Sequence, residues 1–488
     1  MIEFKNVSFQ YNETDGNGIF NINLTIKKGE FVLLSGRSGC GKTTLTRCVN
    51  GLIPHFYEGT LSGTVLMKGQ DVSKLKLNEM AETVGSVFQD PRSQFFTTDT
   101  VSEVAFACEN AAIPQNELIA RVDTAIEDLN IHHLRGKSIF ELSSGERQRI
   151  AIASVHALSP EIYVFDEPSA NLDAKATEEL AQTLALLKQK GATVIISEHR
   201  LYYLKDLIDK VVYMESGRIM KEYNRKEFQA LSDLELASKG LRCLSQERLN
   251  LSKHEHAEGE LFLRAEHLCF DYKKNAHSLF DVNFEAAKGN IIGVIGHNGA
   301  GKSTLAEVLC GLLREREGSV FVADKKASPK QRIPFSYFIM QDAEYQLFSE
   351  SVADELTLGL EETPEMAEQV NKVLEMLNLT EYRDRHPASL SGGQKQRVVI
   401  AAAYMRNLKV VVFDEPTSGL DRENMKRVSE LMQEMAQKGM AVFVITHDYE
   451  LLLNVCQRIL RMEHGKIEED YTLNNNSLPQ LRQFFCIS

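Results

Sequence analysis

The chain has 488 residues, room for roughly two to four domains, and its 55 Lys and Arg against 68 Asp and Glu leave a net charge of -13 at pH 7. That acidic balance, with no dense basic run, argues against a nucleic-acid surface, and the apolar stretches are strand-sized, short of the roughly 18 residues of a membrane-crossing helix. The start, Met1-Ile2-Glu3-Phe4, lacks a signal-peptide apolar core, and the eight cysteines are scattered without metal-ligand spacing, so a cytoplasmic chain with reduced, packed thiols is expected.

Ile2 to Tyr11 alternates apolar and polar residues as a half-buried strand does, and after a turn-rich break the alternation resumes over Ile19 to Ile26, which predicts an antiparallel β subdomain. Next, the apolar run Phe31-Val32-Leu33-Leu34 leads into Gly36-Arg37-Ser38-Gly39-Cys40-Gly41-Lys42-Thr43-Thr44 and a helix-like segment continuing over Leu45 to Leu52. Such glycines let backbone N–H groups and a helix N-terminus converge on phosphates, while Lys42 offers a point charge and the Thr43 hydroxyl a Mg²⁺ ligand. Tyr11, 31 residues before Lys42 (42 minus 11), suits stacking on adenine, although an ordinary strand aromatic is the plainer reading of one tyrosine.

Strands are expected over Leu61 to Met67 and Val84 to Phe88. Gln89 leaves the latter and opens Gln89-Asp90-Pro91-Arg92-Ser93-Gln94-Phe95-Phe96, read as a loop whose glutamine reaches Mg²⁺ or the attacking water. Helices are expected over Val101 to Asn110 and Leu118 to Leu129, followed by Ser143-Ser144-Gly145-Glu146, a small-residue turn opening another helix. Ile162-Tyr163-Val164-Phe165-Asp166-Glu167 is a buried parallel-type strand ending in two acids, Asp166 for Mg²⁺ and Glu167 to polarise water. His199 stands just past the next strand, Thr193 to Ser197, as a γ-phosphate contact.

Every element recurs: Tyr272, Gly296-His297-Asn298-Gly299-Ala300-Gly301-Lys302-Ser303-Thr304, Gln341 with Gln346-Leu347-Phe348, Ser391-Gly392-Gly393, Asp414-Glu415 and His447. The serine, paired-acid and histidine positions share one offset of 248 residues (391 minus 143, 414 minus 166, 447 minus 199), whereas the glutamines are 252 apart (341 minus 89) and the lysines 260 (302 minus 42). This is a domain duplication with its length differences confined to the part before the serine turn. Residues 1–223 and 261–470 are expected as the two domains, 224–260 as a charged linker carrying the solvated His254 and His256, and 471–488 as a tail.

In both halves this ordered set of motifs resembles the ATP-binding-cassette ATPases, and the glutamine-aromatic loops resemble those of energy-coupling factor importers. The resemblance implies two α/β cassettes, each with a RecA-like core, an antiparallel β subdomain and a helical subdomain. It also implies ATP and Mg²⁺ as cofactors, and two composite sites. One takes Lys42, Glu167 and His199 with Ser391, Gly392 and Gly393; the other takes Lys302, Glu415 and His447 with Ser143 and Gly145. Glu167, His199, Glu415 and His447 are then the catalytic residues, with Thr43, Gln89, Asp166, Ser303, Gln341 and Asp414 at the metal. Ser144 and Glu146 depart from the family's Leu-Ser-Gly-Gly-Gln, which implies unequal sites.

The function implied is a peripheral ATPase on the cytoplasmic face of the membrane. It would bind an integral transmembrane subunit and a separate substrate-binding membrane subunit, without nucleic acid or membrane insertion of its own, to import a vitamin, cofactor precursor or transition-metal ion. The grooves flanked by Gln94, Phe95 and Phe96, and by Gln346, Leu347 and Phe348, are expected to receive the membrane subunit's helices. The competing readings are a soluble tandem cassette acting on ribosomes or nucleic acid, and a sugar-importer ATPase; an intact second phosphate loop speaks against the latter.

Overall fold

The computed structural model describes residues 2–12, 18–252, 259–272, 277–361, 363–406 and 408–487. The chain divides into two compact units, Met1–Leu244 and Ser245–Ser488.

In the first unit, Ile2–Tyr11 buries Ile2, Phe4, Val7 and Phe9 and leaves the residues between them half-buried or exposed, the pattern of a strand with one face on a core. It pairs antiparallel with Gly18–Ile26 on one side and Gly59–Met67 on the other. Phe31–Gly36 and Thr193–Ser197 are buried at every residue, because they run inside a sheet packed on both faces. That six-stranded sheet is ordered Arg218–Asn224, Lys210–Glu215, Phe31–Gly36, Thr193–Ser197, Ile162–Asp166, Val84–Val87, parallel except for the first edge strand. Its register sets Leu34 and Asp166 on either side of Ser197, so the phosphate loop, the paired acids and His199 all leave the carboxyl edge together.

The second unit repeats the plan. Ser336–Ile339, Val410–Asp414, Ala441–Ile445, Ile291–Ile295, Arg458–Glu463 and Lys466–Thr472 form its main sheet, and Leu261–Asp271 lies between His277–Ala287 and Glu317–Val322 in an antiparallel one. Helices Thr100–Asn110, Gln115–Asp128 and Ser144–His156 of the first unit, and Val352–Thr357, Met366–Met376 and Gly392–Tyr404 of the second, build the helical parts.

Three expectations change. The helix expected to continue to Leu52 covers Lys42–Val49 and stops, because Gly51 turns left-handed at φ 76° before the short helix Leu52–His55. Residues 224–244 are not a linker: helices Arg225–Gln229 and Asp233–Ser238 bury Phe228 and Leu236 in the first unit's core, joined by Leu241 and Leu244. His254 and His256 lie outside the described residues. The tail 471–488 contributes the helix Leu478–Phe484, whose Leu481 is buried and whose Arg482 donates to the Tyr449 hydroxyl at 3.3 Å.

Candidate functional site

Each phosphate loop is shaped by glycines that nothing else can replace. At Gly36 and Gly296, both at φ 152°, a Cβ would lie 2.2 Å from the Met214 carbonyl oxygen and 2.1 Å from that of Met462. Gly41 and Gly301, at φ 100° and 97°, open the helices Lys42–Val49 and Lys302–Leu309 with no side-chain cap, so the first N–H groups of both helices suit an anion. Lys42 Nζ donates to the carbonyls of Gly36 and Arg37 at 3.1 and 3.2 Å, and Lys302 Nζ to those of Gly296 and His297 at 2.6 and 3.0 Å, which holds each ammonium at its loop. Cys40 and Ala300 are buried beneath the loops and offer backbone alone, while Ser38, Gly39, Asn298 and Gly299 are exposed at the turns.

The metal-ligand types also converge. Thr43 Oγ1 donates to Asp166 Oδ1 at 3.4 Å and Ser303 Oγ to Asp414 Oδ2 at 2.7 Å. Burial, followed by the charge of Glu167, pushes the Asp166 carboxyl above its usual range, and burial does the same for Asp414. A desolvated carboxylate beside a hydroxyl, at the mouth of a phosphate loop, fits a hard divalent cation whose charge offsets that penalty.

The acids that follow are held in an unusual backbone. Glu167 and Glu415 have φ of 44° and 50°, rare for a residue with a side chain of this length. Their N–H groups are tied across to the carbonyls of Ser197 and Ile445, both at 2.9 Å. In the first half His199 Nε2 lies 3.2 Å from Glu167 Oε1 and 3.4 Å from Lys42 Nζ, and Gln89 Nε2 donates to Glu167 Oε2 at 3.1 Å. In the second half His447 Nε2 is 3.8 Å from Glu415 Oε1, and the carboxylate accepts from Thr446 Oγ1 at 3.1 Å and from the His447 N–H at 3.0 Å. Gln341 is half-buried two residues past the strand Ser336–Ile339.

Tyr11 and Tyr272 occupy matching places. Their hydroxyls lie 3.3 Å from Thr44 Oγ1 and 3.4 Å from Thr304 Oγ1, and each ring meets a phenylalanine edge, Phe9 or Phe270, at 4.9 Å. They differ in charge environment: Tyr11 accepts from Arg47 at 3.0 Å, whereas Tyr272 donates to Glu307 at 2.8 Å.

Ser143 caps the helix Ser144–His156, and Ser391 starts Gly392–Tyr404. Glu146 folds back to accept from the Ser143 N–H and hydroxyl, both at 2.8 Å, as Gln394 does from the Ser391 N–H at 2.8 Å. Burial raises the Glu146 pKa, but the bonds from Ser143 outweigh it, so the net shift is downward. The acid that departs from the family pattern is therefore engaged within its own turn.

In the glutamine loops, Gln94 and Gln346 do not face outward as expected. Gln94 accepts from the Phe88 N–H at 3.3 Å and donates to the Ser86 carbonyl at 3.1 Å; Gln346 does the same for Met340 and Phe338, at 2.8 and 2.7 Å. Phe95 packs on the core, while Phe96 and Phe348 stand 72% and 77% exposed. Sequence reading missed Glu103 and Glu355, both buried. Glu103 accepts from the N–H groups of Phe96 and Thr97, and Glu355 from those of Phe348 and Ser349. Their shared 252-residue offset (355 minus 103), equal to that of Gln89 and Gln341, was the available signal.

The ABC transporter family model matches residues 19–170 and 279–418. An ABC transporter ATP-binding protein of Treponema denticola is 42% identical, over 96% of this chain and 97% of its own length. An HMP/thiamine import ATP-binding protein of Bacillus subtilis is 31% identical over 94% of this chain and 89% of its own. Among solved structures, a complex of an archaeal ribosome recycling factor with a ribosomal stalk protein superposes with a TM-score of 0.64 over 98% of this chain and 92% of that one; at 22% identity the likeness speaks to fold alone.

Proposed function

Because the chain belongs to the ABC transporter ATP-binding family, we propose that it is the paired ATPase of an importer for a small vitamin-type or cofactor-type solute. In this reading it docks at the cytoplasmic face on separate integral membrane subunits, one transmembrane and one that binds the solute. The observation that carries the reading is the presence in both halves of an intact phosphate loop with a strained acid and a histidine at the same sheet edge. Similarity over 94% of the chain to an HMP/thiamine import ATP-binding protein supports the solute class. No helix among the described residues is long and apolar enough to cross a membrane, which suits a peripheral subunit.

Lys42 and Lys302, with the N–H groups of their loops, bind the β- and γ-phosphates, and Tyr11 and Tyr272 receive the adenine. Thr43 with Asp166 and Gln89, and Ser303 with Asp414 and Gln341, would hold Mg²⁺, which supplies charge neutralisation to the phosphates. Glu167 and Glu415 accept a proton from the water that attacks the γ-phosphorus in line, as ADP leaves. His199 and His447 orient the γ-phosphate beside them. The serine turns at Ser143 and Ser391, each opening a helix, offer further N–H donors for a phosphate.

The exposed Phe96 and Phe348, each on a loop pinned by a buried glutamate, are the anchors for the membrane subunit. Phe96→Glu with Phe348→Glu should abolish co-purification with the integral membrane subunits from detergent extracts and leave basal ATP hydrolysis intact. Undiminished membrane association in that variant would overturn the docking assignment.

A further inference from the structure

The first half's last catalytic strand ends in Ser197-Glu198-His199-Arg200, where the second half has Ile445-Thr446-His447-Asp448. Glu198 is 2% exposed, and its carboxylate gathers four donors. Oε1 accepts from the N–H groups of His199 at 2.7 Å and Arg200 at 3.1 Å; Oε2 accepts from the Tyr203 hydroxyl at 2.7 Å and the Ser169 N–H at 3.3 Å. Arg200, also buried, sends Nη1 to the carbonyls of Ser169 at 3.3 Å and Leu172 at 3.1 Å. Two opposite charges are thus taken out of water and applied to the backbone of the same two segments, the switch around His199 and the turn that follows Glu167.

Burying a carboxylate and a guanidinium is costly unless their hydrogen-bonding capacity is filled, so such a pair persists where it imposes a geometry. Burial and the neighbouring Glu198 charge hold the Tyr203 hydroxyl well above its usual pKa, which keeps it a donor. The second half meets the same need differently. Thr446 donates directly to the Glu415 carboxylate, and Asp448 accepts from the Thr417 hydroxyl at 2.8 Å.

We propose that Glu198 and Arg200 are positioning residues of the first half, clasping the backbone of the switch to the turn at 169–172 so that His199 stays within reach of Glu167. The proposal rests on the reading of Glu167 and His199 as the hydrolytic pair. The bonds of both clasp side chains go to the switch, Tyr203 and the turn. Misplacement of a reacting group by about 1 Å can cost on the order of 100-fold in rate, which sets the leverage available to such a device.

The test is a double-mutant cycle on the full chain with ATP turnover as readout. Glu198→Gln keeps the side-chain volume and removes the charge. It should carry kcat most of the way to the value of Glu167→Gln, with KM for ATP within about 2-fold of wild type, the signature of an interaction realised only in the transition state. Glu198→Gln added to Glu167→Gln should cause no further loss, because the clasp acts through Glu167. Wild-type kcat in Glu198→Gln, a loss confined to KM, or a fully additive loss in the double variant each overturns the proposal. Should Glu198→Gln fail to fold, Arg200→Lys enters the same cycle with the same criteria. Installing the second half's residues, Ser169→Thr, Glu198→Thr and Arg200→Asp together, should recover turnover that Glu198→Thr alone loses; no recovery counts against the clasp. Failure of the underlying reading looks different, because Glu167→Gln itself would then turn over at the wild-type rate.

Discussion

The two halves repeat one sheet order and disagree about the side chains that support it. Both place an acid at positive φ after the strand-ending aspartate, both tuck a lysine against its loop carbonyls, and both pin the glutamine loop with a buried glutamate. Yet at the 248-residue offset Glu198 corresponds to Thr446, Arg200 to Asp448, Asp209 to Gln457 and His156 to Tyr404. His156 joins the Tyr163 hydroxyl to Asp128 at 2.7 and 2.8 Å, where Tyr404 instead accepts from Lys438 at 2.6 Å. What is common is the placement of the phosphate loop, the paired acids and the histidine; the supports that secure them have been solved twice, with different charges.

The comparison is tested most severely by removing both acids. Glu167→Gln with Glu415→Gln should lower turnover by about 1,000-fold while ATP binding persists, since the amide keeps the shape and loses the base. Wild-type rates in that variant would reject the assignment of both residues. The single variants should then separate the halves. His199 lies closer to Glu167 than His447 does to Glu415, at 3.2 against 3.8 Å, so Glu167→Gln should cost more turnover. Equal residual rates would erase the asymmetry.

Acid provides a third handle. Burial raises the Asp209 pKa, but Lys188, the Phe31 N–H and Arg225 outweigh it and leave the carboxyl below its usual range; Gln457 holds the Ile291 N–H at 3.2 Å with no charge to lose. A depressed carboxyl stabilises the fold above its unfolded pKa of about 3.9, and that contribution drains away as pH falls through the folded value. Wild type should therefore melt above Asp209→Asn at pH 6, with the gap closing below about pH 4 in calorimetry. A gap that is constant with pH would show that the charge is not what the first unit uses. The smallest effect belongs to Glu146→Gln, which copies Gln394. Turnover should stay within about 2-fold, and the lost pairing with Lys137, whose Nζ lies 3.9 Å from Glu146 Oε1, should cost under about 1 kcal/mol. A larger change would favour the unequal sites expected from Ser144 and Glu146.

The phosphate loops, paired acids and histidines were legible because their chemistry demands particular residues at tight spacing, and duplication multiplied the signal. Gln94 was read as facing a partner, but the strand before it ends with an N–H and a carbonyl in need of partners, and the amide side chain satisfies both. Phe95 turned inward for a reason no short motif encodes, the proximity of the helical core. Glu103 and Glu198 look like ordinary surface acids in a string; only tertiary packing reveals them as buried and saturated with donors. The helices Arg225–Gln229 and Asp233–Ser238 are too short to show a period, so their docking on the first unit was hidden.

The left-handed backbone of Glu167 and Glu415 also shapes how this protein can be engineered. A long side chain at such an angle costs about 1 kcal/mol or more, whereas glycine adopts it freely. Replacing either acid with glycine would thus release conformational strain in the same step that removes the proposed proton acceptor. A selection scored on melting temperature alone would drift toward inactive protein at these two positions, so any search for hardier variants must count turnover alongside heat resistance.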